Sequence, residues 1–267
     1  MEDKLKKVLK FLQKNKKHNI ELQIKYMQTV LCPKTTNKEK IIALLYDTAS
    51  TQSQPKMDKL APLFKRLSAK PEKDFDTFEG FLTILNKDQI ETSTPYKTLY
   101  ELLKEEDGWG EKTSALFVKN MYNLHHNSKF KYTFEGGLWE DMPSLDEGDS
   151  IYLPVDAVIL AIFTKLDPSP PKWTFSKINK KLKELGFSNE EIIRFDDLWF
   201  WGYITQDNSK GKEEDMEYWD DTRKMLWNED KYWMIKEANK EEKYIAELHR
   251  KANDFLELFK SSQTNND

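Results

Sequence analysis

A chain of 267 residues can bury a sizeable core, as one large domain or two small ones, and 38% hydrophobic with 33% charged residues suits long amphipathic helices. The formal charge of −4, from 42 basic and 46 acidic side chains, argues against an indiscriminate polyanion binder but leaves room for a segregated basic face. No apolar run reaches membrane-spanning length, no signal-peptide core follows Met1, and the single cysteine, Cys32, excludes an internal disulfide framework, so a reducing, intracellular (cytoplasmic) setting is expected.

In chain order, Leu5, Val8, Leu9 and Leu12 recur at helical spacing, within a stretch, DKLKKVLKFLQKNKKH, that is strongly basic. A second helix is expected over about residues 20–31, ended by Pro33. Cys32, just before that proline in a loop, is a poor candidate for a nucleophile. KEKIIALLYDTAS reads as a buried helix, and Pro55 sits where the leucine-faced MDKLAPLFKRLS can start. DFDTFEGFLTIL is a further apolar segment. Thr94-Pro95 offers an N-cap and a first helical residue for YKTLYELLKEE. That helix runs into the turn DGWG, and EKTSALFVKNMYNLHH follows as another. Its closing pair, His125-His126, reads as a carbonyl cap rather than a metal site.

Residues 127–150 hold three of the nine glycines and many carboxylates, and read as a long surface loop. The acidic cluster at 135–149 lacks calcium-loop spacing and reads as solvated. LPVDAVILAIFTKL resumes the helical pattern, DPSPPKW is a rigid connector, and TFSKINKKLKELGF ends at Gly186 as a C-terminal stop. Ser188 and Glu191 form a capping box ahead of NEEIIRFDDLWFWGY. A long charged helix is expected from about Asp230 to Ser261, followed by a disordered tail over 263–267. Trp199, Trp219, Trp227 and Trp233 read as core or helix-packing residues. Without strand alternation or an internal repeat, the expected fold class is all-α.

The turn at 107–110 carries the chemistry. Gly108 and Gly110 flank Trp109 and permit a tight, partly left-handed turn whose amides no side chain shields. Those donors, with the positive end of the next helix, suit a phosphate oxygen; a tight helix–helix turn that simply needs glycine is the plainer reading. Lys112 then stands in the first turn of a helix, where the macrodipole disfavours a cation; it is either an ordinary solvated residue or one whose unfavourable position the protein uses.

With GWGEKT at 108–113 and LPVD at 153–156, the chain resembles the helix-hairpin-helix (HhH-GPD) DNA glycosylase superfamily. Bifunctional members of that superfamily carry a G-x-G-x-K-T hairpin and, later, an aspartate in a V-D pair at the head of a helix. The likeness spreads by helix order over about residues 38–202. It looks closest to the archaeal 8-oxoguanine (GO) glycosylase branch, through Lys119 in KTSALFVK and through Asp197 and Trp201 in FDDLWFW. The resemblance implies Lys112 as Schiff-base nucleophile and Asp156 as catalytic carboxylate. It implies Trp201 stacking on an extruded base, Asp197 and Lys119 reading that base, and Gly108 and Gly110 holding a DNA phosphate. Asp196 and Trp199 give the alternative register, and the branch's base-contacting glutamine is open among Gln23, Gln28 and Gln52.

The architecture so implied is a single unit over 1–262 of two helical subdomains flanking a cleft. One covers about 38–126 with the hairpin at 106–112; the other combines about 1–37 with 151–262. Three departures stand out. Lys112 and Asp156 are 44 positions apart because of the 127–150 stretch, the hairpin opens with Glu106-Asp107-Gly108, and no C-terminal cysteine set exists for an iron–sulfur cluster. No cofactor is required, though hairpin carbonyls offer a place for a structural cation. The expected partner is double-stranded DNA with a damaged base, with no membrane, and the protein is expected to be a monomer. The implied activity is base-excision repair: a glycosylase with AP lyase activity on an oxidised purine of the 8-oxoguanine type. The alternatives are a glycosylase for another modified base, a non-catalytic hairpin DNA-binding module, and a helical interaction scaffold.

Overall fold

The computed structural model describes residues 1–52, 54–85, 93–135, 137–206 and 225–260. Among these residues the chain is all-α, with one 3-10 turn at Glu72–Phe75 and no strand beyond an isolated bridge between Gln206 and Met225. No described helix is long and apolar enough to cross a membrane. The chain divides into two compact units. The terminal unit combines Met1–Leu22, Val155–Phe187 and Arg194–Asp267; the middle unit combines Gln23–Pro154 with Ser188–Ile193.

The first helix, α1, runs unbroken over Glu2–Leu31, where two helices were expected. Its apolar stripe continues from Leu12 through buried Asn15 and Asn19 to Ile20, so the interruption is one of polarity and not of backbone. The boundary between the units falls inside α1, after Leu22.

In the middle unit, α2 (Asn37–Ser50), α3 (Met57–Ala69), α4 (Phe78–Leu85), α5 (Pro95–Lys104), α6 (Glu111–His126) and α7 (Ser128–Thr133) follow in order. Helix α6 is buried on most of its circumference, and α2, α5 and α7 pack against it. A capping box of Thr36 and Glu39, not anticipated, opens α2. Pro95 does occupy the first turn of α5, but the Thr94 side chain caps nothing. Asp149 does that work instead, accepting from the Tyr96 and Lys97 amides at 2.8 and 2.9 Å. Asp141 likewise accepts from the Phe78 amide at the start of α4, at 3.0 and 3.1 Å.

The stretch 127–150 is therefore no plain solvated loop. It contains α7 and buries Leu138, Trp139 and Asp149. Two of its carboxylates spend their lone pairs on helix starts, where the first backbone amides have no partner within the helix. His125 anchors it as well. Its Nε2 accepts from the Leu138 and Trp139 amides at 3.0 and 3.1 Å, which leaves Nδ1 to donate to the Met121 carbonyl at 2.8 Å. The imidazole stacks on the Trp139 ring, 5.7 Å between centroids. The expected carbonyl cap is present, and burial holds this histidine below the usual imidazole range.

In the terminal unit, α8 (Ala157–Leu166), α9 (Phe175–Glu184), α10 (Asn189–Phe195, shared with the middle unit's 188–193 stretch) and α11 (Asp197–Tyr203) precede α12 (Glu229–Met234) and α13 (Glu242–Glu257). Gly186, at φ +76°, closes α9 with the Gly186 amide on Lys183 and the Phe187 amide on Leu182, the hydrogen-bond pair of a Schellman stop. Ser188 and Glu191 make the reciprocal capping box over α10. Helices α8 and α11 pack closely enough that a Cβ at Gly202 would come within 2.5 Å of Val158.

The single C-terminal helix expected from 230 to 261 is instead two. Ile235 turns extended at ψ 111°, and Tyr232 Oη donates to the Asn239 carbonyl at 2.6 Å across the break. Trp227 stacks on His249, while Trp233 is 44% exposed and so is not a core residue. Trp219 and the tail at 263–267 lie outside the described residues.

Candidate functional site

The turn between α5 and α6 is built by one residue in the left-handed region. Gly108 has φ +83°, and a Cβ there would meet the Leu60 side chain at 3.0 Å, so both backbone and space call for glycine. Gly110 differs. It is extended (φ −143°, ψ 175°), and a Cβ added there would meet nothing within 4 Å, so its backbone would accept any residue. As the N-cap of α6 it brings no side-chain acceptor to the first amides of that helix. Trp109 pins the turn from inside, 7% exposed and edge-on to Phe117. Glu106 pairs with Arg66 of α3, and Gln52 Nε2 donates to the Gly108 carbonyl at 3.1 Å. Of the three candidate glutamines, Gln52 thus holds the turn.

Lys112 is half-buried at the second position of α6, and among the described residues nothing pairs with its amine. Two helical turns further, Lys119 is 3% exposed and so is no solvated helix residue. Asn120, Asn123 and Ser114 are buried on the same helix, and Ser114 Oγ finds no partner among the described residues. Gly108, Gly110, Lys112 and Lys119 therefore follow one another along one turn and one helix of the middle unit.

Asp156, Asp197 and Trp201 belong to the terminal unit, on two helices that pack together. Asp156 is the N-cap of α8, its Oδ1 accepting from the Ile159 amide at 2.9 Å. Asp197 is buried and carries two partners: Asn19 Nδ2 donates at 2.6 Å and Arg194 at 2.7 Å. Burial pushes its carboxyl up, while Arg194 and Asn19 pull against that shift.

Trp201 is fully buried, ringed by Phe11 at 5.0 Å, Phe200 at 5.2 Å, His18 at 5.8 Å and Phe255 at 6.2 Å. Neither ring face is open as the unit stands. Trp199, in the alternative register, is half-buried and stacks on Tyr203 at 5.5 Å. Around Trp201, three buried polar atoms have no hydrogen-bond partner among the described residues: Trp201 Nε1, His18 Nε2 and Asn19 Oδ1. Such atoms are costly in an apolar core.

His18, Asn19 and Arg194 escaped the sequence reading. A signal existed for the first helix, because Asn15 and Asn19 fall in register with the apolar stripe of α1. No protein-family model, no curated protein and no solved structure matches the chain.

Proposed function

We propose that the protein is a helix-hairpin-helix DNA glycosylase with AP lyase activity, acting on an oxidised purine of the 8-oxoguanine type. The observation that carries this reading is Lys112: a half-buried residue whose amine pairs with nothing among the described residues, in the first turn of a helix that a left-handed glycine turn introduces. The uncapped amides beside it suit a phosphate, which would fix the strand without reading sequence.

In this mechanism the target nucleotide leaves the stack, and Lys112 Nζ attacks C1′. The C1′–N9 bond breaks and its electron pair leaves with the base. Asp156 takes the proton from the amine and stabilises positive charge at C1′. Ring opening gives an imine, loss of a C2′ proton follows, and the C3′–O bond breaks to release the 3′ phosphate. Asp197 and Lys119 hydrogen-bond the extruded base. Trp201 supplies the stacking face once its aromatic ring of neighbours parts, and the unpartnered atoms of His18 and Asn19 are supports for a polar guest there. No cofactor takes part in these steps; a cation at the hairpin carbonyls would be structural.

Borohydride trapping on duplexes with an abasic site or 8-oxoguanine tests the reading. Wild type should give a covalent protein–DNA adduct and Lys112→Gln none. An adduct-free wild type that still binds DNA with steep salt dependence would instead favour the non-catalytic module, and a panel of lesions separates the oxidised purine from other bases.

A further inference from the structure

The first helix carries a charge pattern that the hairpin chemistry does not use. Between Lys4 and Ile20 there are seven lysines and no carboxylate, on a chain whose net charge is −4. All seven are exposed. Three are engaged: Lys4 with the Leu166 carbonyl, Lys6 with Glu2 and Lys17 with Glu247. Lys7, Lys10, Lys14 and Lys16 have no partner among the described residues.

Lys7, Lys10 and Lys14 stand at i, i+3 and i+7 and so form one stripe along the outer face of α1. At about 1.5 Å per residue that stripe is roughly 10 Å long. One strand of B-DNA presents about three phosphates over the same length. Lys181 of α9 lies within electrostatic reach of Glu2 and extends the positive field past the first turn of α1.

We infer that this lysine stripe on α1 is a docking ridge for the phosphate backbone of duplex DNA, a second contact surface that rests on the DNA-binding part of the function proposed above. Flexible lysine stems act as point charges and suit phosphates irrespective of base sequence. A membrane surface fits less well. An interfacial helix needs an accessible apolar face, whereas Leu5, Val8, Leu9 and Leu12 are buried in the terminal unit and no exposed large hydrophobic residue lies on α1.

The test is a salt titration of binding to an undamaged duplex, comparing wild type with the combined Lys7→Gln, Lys10→Gln, Lys14→Gln variant. Glutamine keeps the helix propensity of lysine, and the positions are exposed, so far-UV circular dichroism should be unchanged. The slope of log K against log salt should become shallower by about 2.7, so that the wild-type advantage shrinks about 40-fold between about 50 and 200 mM salt. The same three positions changed to arginine should restore the wild-type slope. Equal slopes for wild type and the glutamine variant overturn the ridge, as does wild type that binds phosphatidylserine vesicles but not DNA. Borohydride trapping separates the two claims. Equal slopes with an adduct sink the ridge alone, and a shallower slope with no wild-type adduct sinks the lyase alone.

Discussion

Asp156 holds two tasks whose signatures differ. As the N-cap of α8 it needs only an acceptor oxygen for the Ile159 amide; as the proposed catalytic group it needs a charge. Asparagine supplies the first and lacks the second. Asp156→Asn should keep urea stability within about 0.5 kcal/mol of wild type and lose adduct formation, whereas Asp156→Ala should lose adduct formation and about 1 kcal/mol besides. Equal destabilisation by both would show that the charge, and not the cap, holds the helix start. At this scale the place of Lys112 in the first turn of α6 was legible because glycine punctuates the start of that helix. The burial of Lys119 was not, since packing around α6 decides it. Nor was the Asn19–Asp197 bond, which joins residues 178 positions apart.

Elements rest on their ends. The two glycines of the α5–α6 turn look alike in sequence and separate cleanly by conformation. Gly108→Ala should cost about 1–2 kcal/mol, from the left-handed φ and the crowding against Leu60. Gly110→Ser should instead stabilise by a few tenths of a kcal/mol, because serine caps amides that glycine leaves open. If those amides hold a phosphate, Gly110→Ser should also weaken duplex binding, read by fluorescence anisotropy beside the thermal melt. Asp149→Ala strands the buried Tyr96 amide and the part-buried Lys97 amide and should cost roughly 2–3 kcal/mol, measured as a drop in urea midpoint. Local signals made the Ser188–Glu191 box and the Gly186 stop readable. The caps from Asp141 and Asp149 were hidden because the partners lie 63 and 53 positions away, and a carboxylate-rich stretch with no periodicity gives no hint of what it reaches.

Across the whole molecule, helical periodicity was enough to specify an all-α chain, while continuity was harder to read. Polar residues on the buried stripe disguised α1 as two helices, and a charged surface pattern disguised α12 and α13 as one. Three histidines bear on stability at this scale. Burial pushes His18 down to about 4, and His125 and His126 also lie below the ordinary value. The neutral ring is the folded form in each case. Their contribution is complete above about pH 6.5, and falls as acid protonates the unfolded chain first. His18 alone should remove roughly 1–2 kcal/mol between about pH 7 and pH 5. Urea titrations at the two pH values check this, and His18→Gln should flatten the difference.

The long-distance caps also bear on the order in which the chain is made. Synthesis delivers α4 and α5 to the outside of the ribosome well before Asp141 and Asp149, the acceptors that close them. A nascent chain halted short of position 141 therefore carries two helices with open starts, which close only when those two carboxylates arrive.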